Sequence, residues 1–136
     1  YFGHWLSMID KVDRDKLPRI YGVNWFRKTD EGEFLWPGFS ENVRVLRWII
    51  DRLEERSDGR QTPVGIVPEV SEINDDGTLS DDFVFRSMAV RKTQWEAEVA
   101  SIKEHYQTFG ERLPKKLSEE LDELEKRVNS MDVDVI

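Results

Sequence analysis

Trp25, Phe26, Phe34, Trp36 and Phe39, with Asn42 just beyond them, are the residues whose types and spacing could do recognition chemistry. A purine base offers a π-face for stacking and an edge of paired donors and acceptors; phenylalanine or tryptophan answers the first and a primary amide the second. Five rings (Trp25, Phe26, Phe34, Trp36 and Phe39) fall within fifteen residues, interrupted by Gly32, Pro37 and Gly38. Several must therefore sit on turns, where rings can line a flat slot. Composition alone leaves a second reading open, in which the same rings form a packed corner of the core.

The elements that would position these residues follow from periodicity. Phe2, Trp5, Leu6, Ile9 and Val12 stand at helical spacings, and Leu17-Pro18 ends that segment. Arg19 to Trp25 reads as a strand. Glu31-Gly32 is a turn pair that makes Phe34-Leu35-Trp36 the return arm of a hairpin-like excursion, with rings facing across it. Pro37-Gly38 turns the chain sharply, with no Cβ at Gly38 to keep Phe39 from the base. Ser40 is placed to cap a helix carrying Val45, Leu46, Ile49, Ile50 and Leu53, so Asn42 falls in its first turn, where backbone N–H groups welcome an electron-rich acceptor.

Asp58-Gly59 closes that unit, and Thr62 to Val67 reads as one short strand between Pro63 and Pro68. Residues 69–82 read as an acidic surface loop around Asn74-Asp75-Asp76-Gly77; an EF-hand is not met, because the ligand spacing and the closing glutamate are not both present. The last third is helical. One stripe runs through Trp95, Val99, Ile102, Tyr106 and Phe109, Gly110 is a stop, and a second runs through Leu113, Leu117, Leu121, Leu124 and Val128. Two antiparallel helices would bury these stripes, and the end from Asp132 to Ile136 is expected to fray. The fold class is α/β to α+β and helix-rich, with short strands and about four helices. The 136 residues are expected to form a single piece: an α/β segment over 1–68, the acidic loop over 69–82 and a helical tail over 83–136.

Charge and composition exclude several function classes. Twenty basic against 28 acidic residues give a formal charge of −8, which disfavours nucleic acid and anionic membranes as partners. With no cysteine there is no disulfide framework, thiol nucleophile or thiolate metal site. No apolar run is long enough to span a bilayer. His4 and His105 lie in separate segments outside any ligand motif, and read as packing and as helix surface respectively. No triad signature and no Gly-rich phosphate loop ending in Lys-Ser or Lys-Thr occurs, so no catalytic residue and no metal ligand is assigned in this chain.

The order of the residues is more specific than their composition. Val23-Asn24-Trp25-Phe26-Arg27-Lys28, an acidic-Gly turn, Phe34-Leu35-Trp36-Pro37-Gly38-Phe39, then Glu41-Asn42 and Arg44-Val45-Leu46, strongly resembles the nucleotide-binding segment of GTP-dependent phosphoenolpyruvate carboxykinase. The likeness extends upstream through Phe2 to Met8 and Lys16 to Ile20, and downstream through Trp48 and Thr62 to Pro68, about the first half of the chain. The remainder resembles the family's helical tail more loosely. The resemblance implies that Phe26 and Phe39 sandwich a guanine, Phe34 closes the side of the slot, Trp25 shapes the wall and Asn42 bonds the base edge. Arg27, Lys28 and Arg44 could approach phosphates, with solvated surface the expected role of Lys28, while Trp36 is expected to pack.

The resemblance further implies a C-terminal piece of a larger, gluconeogenic enzyme, monomeric and cytoplasmic. Such an enzyme uses GTP or GDP with Mn2+ or Mg2+, and its phosphate loop, metal ligands and reactive groups lie in sequence upstream of Tyr1. The expected partners are the guanine nucleotide and the rest of that enzyme, and the isolated chain is expected to be inactive. Ser40 stands where the family usually has Gly, and Val43 where a smaller or polar residue is common. The alternative from another class is a non-enzymatic acidic, helix-rich interaction module with the aromatic cluster as its core.

Overall fold

The structure is a computed structural model that describes residues 1–29 and 31–132. Among the described residues six α-helices and one two-stranded antiparallel sheet are formed, a helix-rich α/β arrangement. The chain divides into two compact units, one built from residues 1–20 with 91–132 and the other from residues 21–90.

The first unit begins with α1 (Phe2–Met8), shorter than its apolar spacing predicts because the helix stops at Ile9. Its main bodies are α5 (Lys92–Gln107) and α6 (Lys115–Asn129). These pack antiparallel: Lys92 Nζ bonds the carbonyl oxygens of Asn129 and Met131 at one end, and Lys103 Nζ meets Glu125 Oε2 at 2.6 Å further along. The predicted stripes are the buried ones, with Val99, Leu121 and Val128 inside and their stripe neighbours half-covered. Gly110 takes φ +53° in the connection, a left-handed conformation glycine adopts without a Cβ penalty. The Phe2 and Phe109 rings meet edge to face at 5.5 Å, which ties α1 to that connection. The expected fraying of the last residues concerns positions that, from Val133 onward, lie outside the described residues.

The second unit is organised around Trp36, Trp48, Ile73 and Val84, all buried. It holds α2 (Asn42–Leu53), the hairpin of β1 (Arg60–Thr62) and β2 (Gly65–Val67), α3 (Val70–Ile73) and α4 (Asp81–Met88). Three expectations are corrected here. Residues 19–24 form no strand: among the described residues no second strand pairs with them, and Tyr21 instead packs edge to face on Trp48 at 6.2 Å. Thr62 to Val67 is not one strand but the turn and second arm of a hairpin, with Arg60 opposite Val67 and Thr62 opposite Gly65. Pro63 sits in the turn, where its missing N–H is not needed, and the Thr62 hydroxyl closes the turn on the Gly65 carbonyl at 2.6 Å. Ser40 does not cap α2, because it lies inside a 3-10 turn over Phe39–Glu41 that precedes the helix; its hydroxyl turns to Glu41 Oε1.

Residues 69–82 are more ordered than a surface loop. Glu69 and Glu72 form a reciprocal capping box on α3, and Asn74 is buried, its amide bonding Leu79 O and Asp81 Oδ1 while its Oδ1 accepts the Leu79 N–H. The cue was available in the Glu-Val-Ser-Glu spacing. Glu72 is also a hub: its carboxylate accepts from the buried Trp48 indole, the Ser57 hydroxyl and the Gly59 and Glu69 amides.

Candidate nucleotide-base site

The hairpin-like excursion is present as a single antiparallel bridge between Lys28 and Phe34. Leu35 N–H bonds Arg27 O at 2.8 Å and Gly32, at φ +87°, makes the reversal. The Phe26 and Phe34 rings meet edge to face at 6.3 Å, and Trp25 and Trp36 lie 6.0 Å apart at a tilt. The two pairs have different environments. Trp36 is 8% exposed and belongs to the core, whereas Phe26 and Phe34 are 75% and 56% exposed. Trp36 thus packs, as expected. Lys28 holds its ammonium 4.8 Å from the centre of the Phe34 ring, a cation–π contact.

The return arm is anchored from behind by α4. Arg27 Nη1 donates to Ser87 O at 3.1 Å, and the Ser87 hydroxyl bonds Leu35 O at 3.0 Å. A cavity of about 130 Å3 lies on this inner side, bordered by Asn24, Trp25, Trp36, Val45 and Met88; Phe26, Phe34 and Phe39 do not line it.

Beyond Pro37 the chain passes through Gly38 at φ +115° and ψ −159°, a region open essentially to glycine alone. A Cβ there would meet nothing within 4 Å, so the backbone conformation, not crowding around Phe39, is what demands glycine. Phe39 is then 93% exposed, and among the described residues it pairs with no other ring. Asn42 is the first residue of α2, and its backbone N–H is already bonded to Phe39 O. The carbonyl of one candidate residue thereby fixes the backbone of the next. The Asn42 side chain accepts the Trp36 indole N–H at Oδ1, 2.8 Å away.

Arg44 has no phosphate role in this arrangement. Its guanidinium is taken up by Glu41 Oε2, Ile73 O, Asp76 and Thr78, with the Asp76 and Glu41 carboxylates raising its pKa further above its ordinary value. Asp76 is held well below the usual carboxylate range, first by Arg44 and then by the Thr78 amide and hydroxyl. Asp75 is lowered likewise by Arg47. The acidic cluster is thus spoken for by arginines. Among the described residues no group of three or more His, Asp or Glu is arranged to hold a metal ion, and the donors here do not fit a divalent cation.

The structure therefore brings Phe26 beside Phe34, links Phe39 to Asn42 through the backbone and leaves Trp25 half-buried between the arm and the core. Sequence reasoning missed two supporting groups. One is the Trp36 donor, detectable in principle as a tryptophan one tight turn before an amide. The other is the Arg44 clamp, signalled by Asp76-Gly77-Thr78, an Asx-turn sequence that presents a carboxylate.

Residues 1–127 match the family described as the phosphoenolpyruvate carboxykinase C-terminal P-loop domain. Proteins named "Phosphoenolpyruvate carboxykinase [GTP]" are similar across 94% of this chain: that of Chlamydia felis is 46% identical over 130 residues and that of Arthrobacter sp. 43% identical over 129. The protein of Chlamydia trachomatis is 44% identical over 130 residues. The chain spans about a fifth of the length of these relatives, 21% to 22%. The chain belongs to the GTP-dependent phosphoenolpyruvate carboxykinase family, and within it to the C-terminal P-loop domain.

Proposed function

We propose that this chain is the guanine-recognising part of a GTP-dependent phosphoenolpyruvate carboxykinase. The observation that supports this reading best is the set of three phenylalanines held at the surface by a buried frame. Phe26, Phe34 and Phe39 are exposed although the arm and turn that carry them are tied down by Trp36, Leu35 and Asn42. Rings kept in water at the cost of their hydrophobic burial suit stacking on a ligand face. In this reading Phe26 and Phe39 flank the base, Phe34 and Trp25 wall it, and Asn42 reads its edge.

The parent enzyme would convert oxaloacetate and GTP to phosphoenolpyruvate, carbon dioxide and GDP by in-line phosphoryl transfer assisted by Mn2+ or Mg2+. The phosphate-cradling loop and the metal ligands are not among the residues of this chain, and positioning plus electrostatics supply nearly all catalysis in such transfers. The chain by itself is expected to bind nucleotide without turning it over. No helix among the described residues is long and apolar enough to cross a membrane. A cytoplasmic, monomeric parent belongs to the same proposal.

The test is a titration of the chain with GDP and with ADP, followed by tryptophan fluorescence and calorimetry. GDP should bind measurably tighter than ADP. Equal indifference to both nucleotides would remove the base-pocket reading.

A further inference from the structure

Asn42 can discriminate bases only if its amide is held one way round, because a primary amide rotated by half a turn exchanges donors for acceptor. The structure contains a group that can hold it. The Trp36 indole N–H is a donor with no acceptor capacity, and it lies 2.8 Å from Asn42 Oδ1. Only the carbonyl end of the amide can face it. Trp36 is itself fixed, packed among Trp48, Ile73 and Val84 with its ring against Trp25. Among the described residues no protein acceptor is bonded to Asn42 Nδ2, which is not sealed in the interior.

We infer that Trp36 is a specificity-setting positioning residue: its indole N–H pins the Asn42 carbonyl so that the two Nδ2 protons are the edge offered to the base. The inference rests on the base-site reading above and adds the cause of its selectivity. An edge that only donates accepts a base carrying a carbonyl and opposes one carrying an exocyclic amino group. Guanine presents an O6 acceptor where adenine presents an N6 amino donor. A base of the wrong kind leaves the amide protons unpaired, and an unmade hydrogen bond in a covered site is what produces discrimination. The buried indole thus acts at one remove, without touching the nucleotide.

The test measures GDP and ADP affinities for the chain, for Trp36→Phe and for Asn42→Asp, together with the amide and indole proton signals in a nitrogen-edited NMR spectrum. In the unaltered chain the Trp36 indole proton should exchange slowly and the Asn42 side-chain pair should shift on GDP addition. Trp36→Phe keeps a ring but removes the donor; GDP preference over ADP should fall about tenfold or more, as a ratio rather than as a uniform weakening. Asn42→Asp keeps an acceptor for the indole and removes the protons, so it too should lose the preference while the slow indole proton persists.

Preserved preference in Trp36→Phe, or equal weakening towards both nucleotides, overturns the positioning role and leaves the base site standing. Preserved preference in Asn42→Asp overturns it as well, even where Trp36→Phe fails to fold. Absence of any preference in the unaltered chain overturns the base site itself and this inference with it.

Discussion

The Arg44 guanidinium grips Asp76 with two parallel bonds, Nη1 to Oδ1 at 2.9 Å and Nη2 to Oδ2 at 2.8 Å. The same side chain, only 11% exposed, also reaches Glu41 and the Ile73 carbonyl, so one residue ties the first turn of α2 to the segment that follows α3. Planar two-point geometry of this kind is specific to arginine. Asn42 sits two residues before this clamp, which makes the clamp part of the frame that aims it.

The clamp predicts a pH dependence with a definite sign. Asp76, Asp75 and Glu72 all have folded pKa values below their ordinary ones. For Asp76 and Asp75 the leading cause is the arginine partner; for Glu72 burial pushes upward and is outweighed by bonds from Ser57, the Glu69 amide, Trp48 and the Gly59 amide. A depressed carboxylate stabilises the fold fully above its unfolded pKa, and the contribution fades as pH falls towards the folded value. Asp76→Asn should therefore lower Tm at about pH 7, and the gap from the unaltered chain should narrow below about pH 4, where unfolded carboxylates are protonated. A gap that is constant from neutral to acid would show that Asp76 contributes no pH-linked stability.

Glu72 offers a test of the frame without touching the candidate site. Glu72→Ala strips the acceptor from the buried Trp48 indole N–H and from Ser57 and Gly59 together. An unsatisfied buried donor costs about 1–3 kcal/mol, so the urea midpoint should drop clearly. Trp48→Phe in the Glu72→Ala background should cost less than in the unaltered chain, because the orphaned donor disappears with the indole. Strict additivity of the two changes would argue against the bond.

Gly59 and Gly38 separate crowding from backbone strain. Both have positive φ, +62° and +115°, but a Cβ on Gly59 would lie 2.7 Å from Ile66 Cγ2 and 2.9 Å from Val67 O, whereas one on Gly38 meets open space. Gly38→Ala should cost about 1–3 kcal/mol through the backbone alone and loosen the turn that delivers Phe39, weakening GDP binding. Gly59→Ala should cost more in stability, since Ile66 and Val67 of β2 and the Trp48 ring must also give way, and should leave nucleotide preference intact. Similar losses of stability in the two variants would contradict the contacts at Gly59.

The parts of this molecule that were legible in its sequence are those governed by short-range rules. Leu117, Leu121, Leu124 and Val128 announce α6 because helical periodicity needs no knowledge of the partner, and Glu31-Gly32 announces its turn for a like reason. The strand expected at residues 19–25 failed because a strand exists only with a neighbour, and sequence does not say whether one arrives. Ser40 failed as a cap because a 3-10 turn over Phe39–Glu41 moved the cap position on by one residue, to Glu41. Within the candidate site the residue types were readable, but the burial of Trp36 against the exposure of Phe39 was not, since both are aromatic residues in one short run. That contrast is set by the Pro37-Gly38 turn: Trp36 precedes it and packs among Trp48, Ile73 and Val84, whereas Phe39 follows it in the 3-10 turn.

Phe39 gives the sharpest test of the aromatic slot because its exposure uncouples binding from stability. At 93% exposed it contributes almost nothing to the core, so Phe39→Ala should leave the unfolding free energy within about 0.5 kcal/mol of the unaltered value. Stacking on a base is worth about 1–3 kcal/mol per ring, so the same change should weaken GDP binding by roughly 5- to 150-fold. Leu35 is the control: buried on the return arm that precedes this turn, its truncation to Ala should cost about 2–5 kcal/mol in stability. Phe39→Ala that folds as before and still binds GDP as tightly would mean that the exposed ring serves something other than the base. A ring that loses the nucleotide while the fold is untouched can have only one use among those considered, because hydrophobic burial has been excluded by its exposure and ring pairing by its isolation.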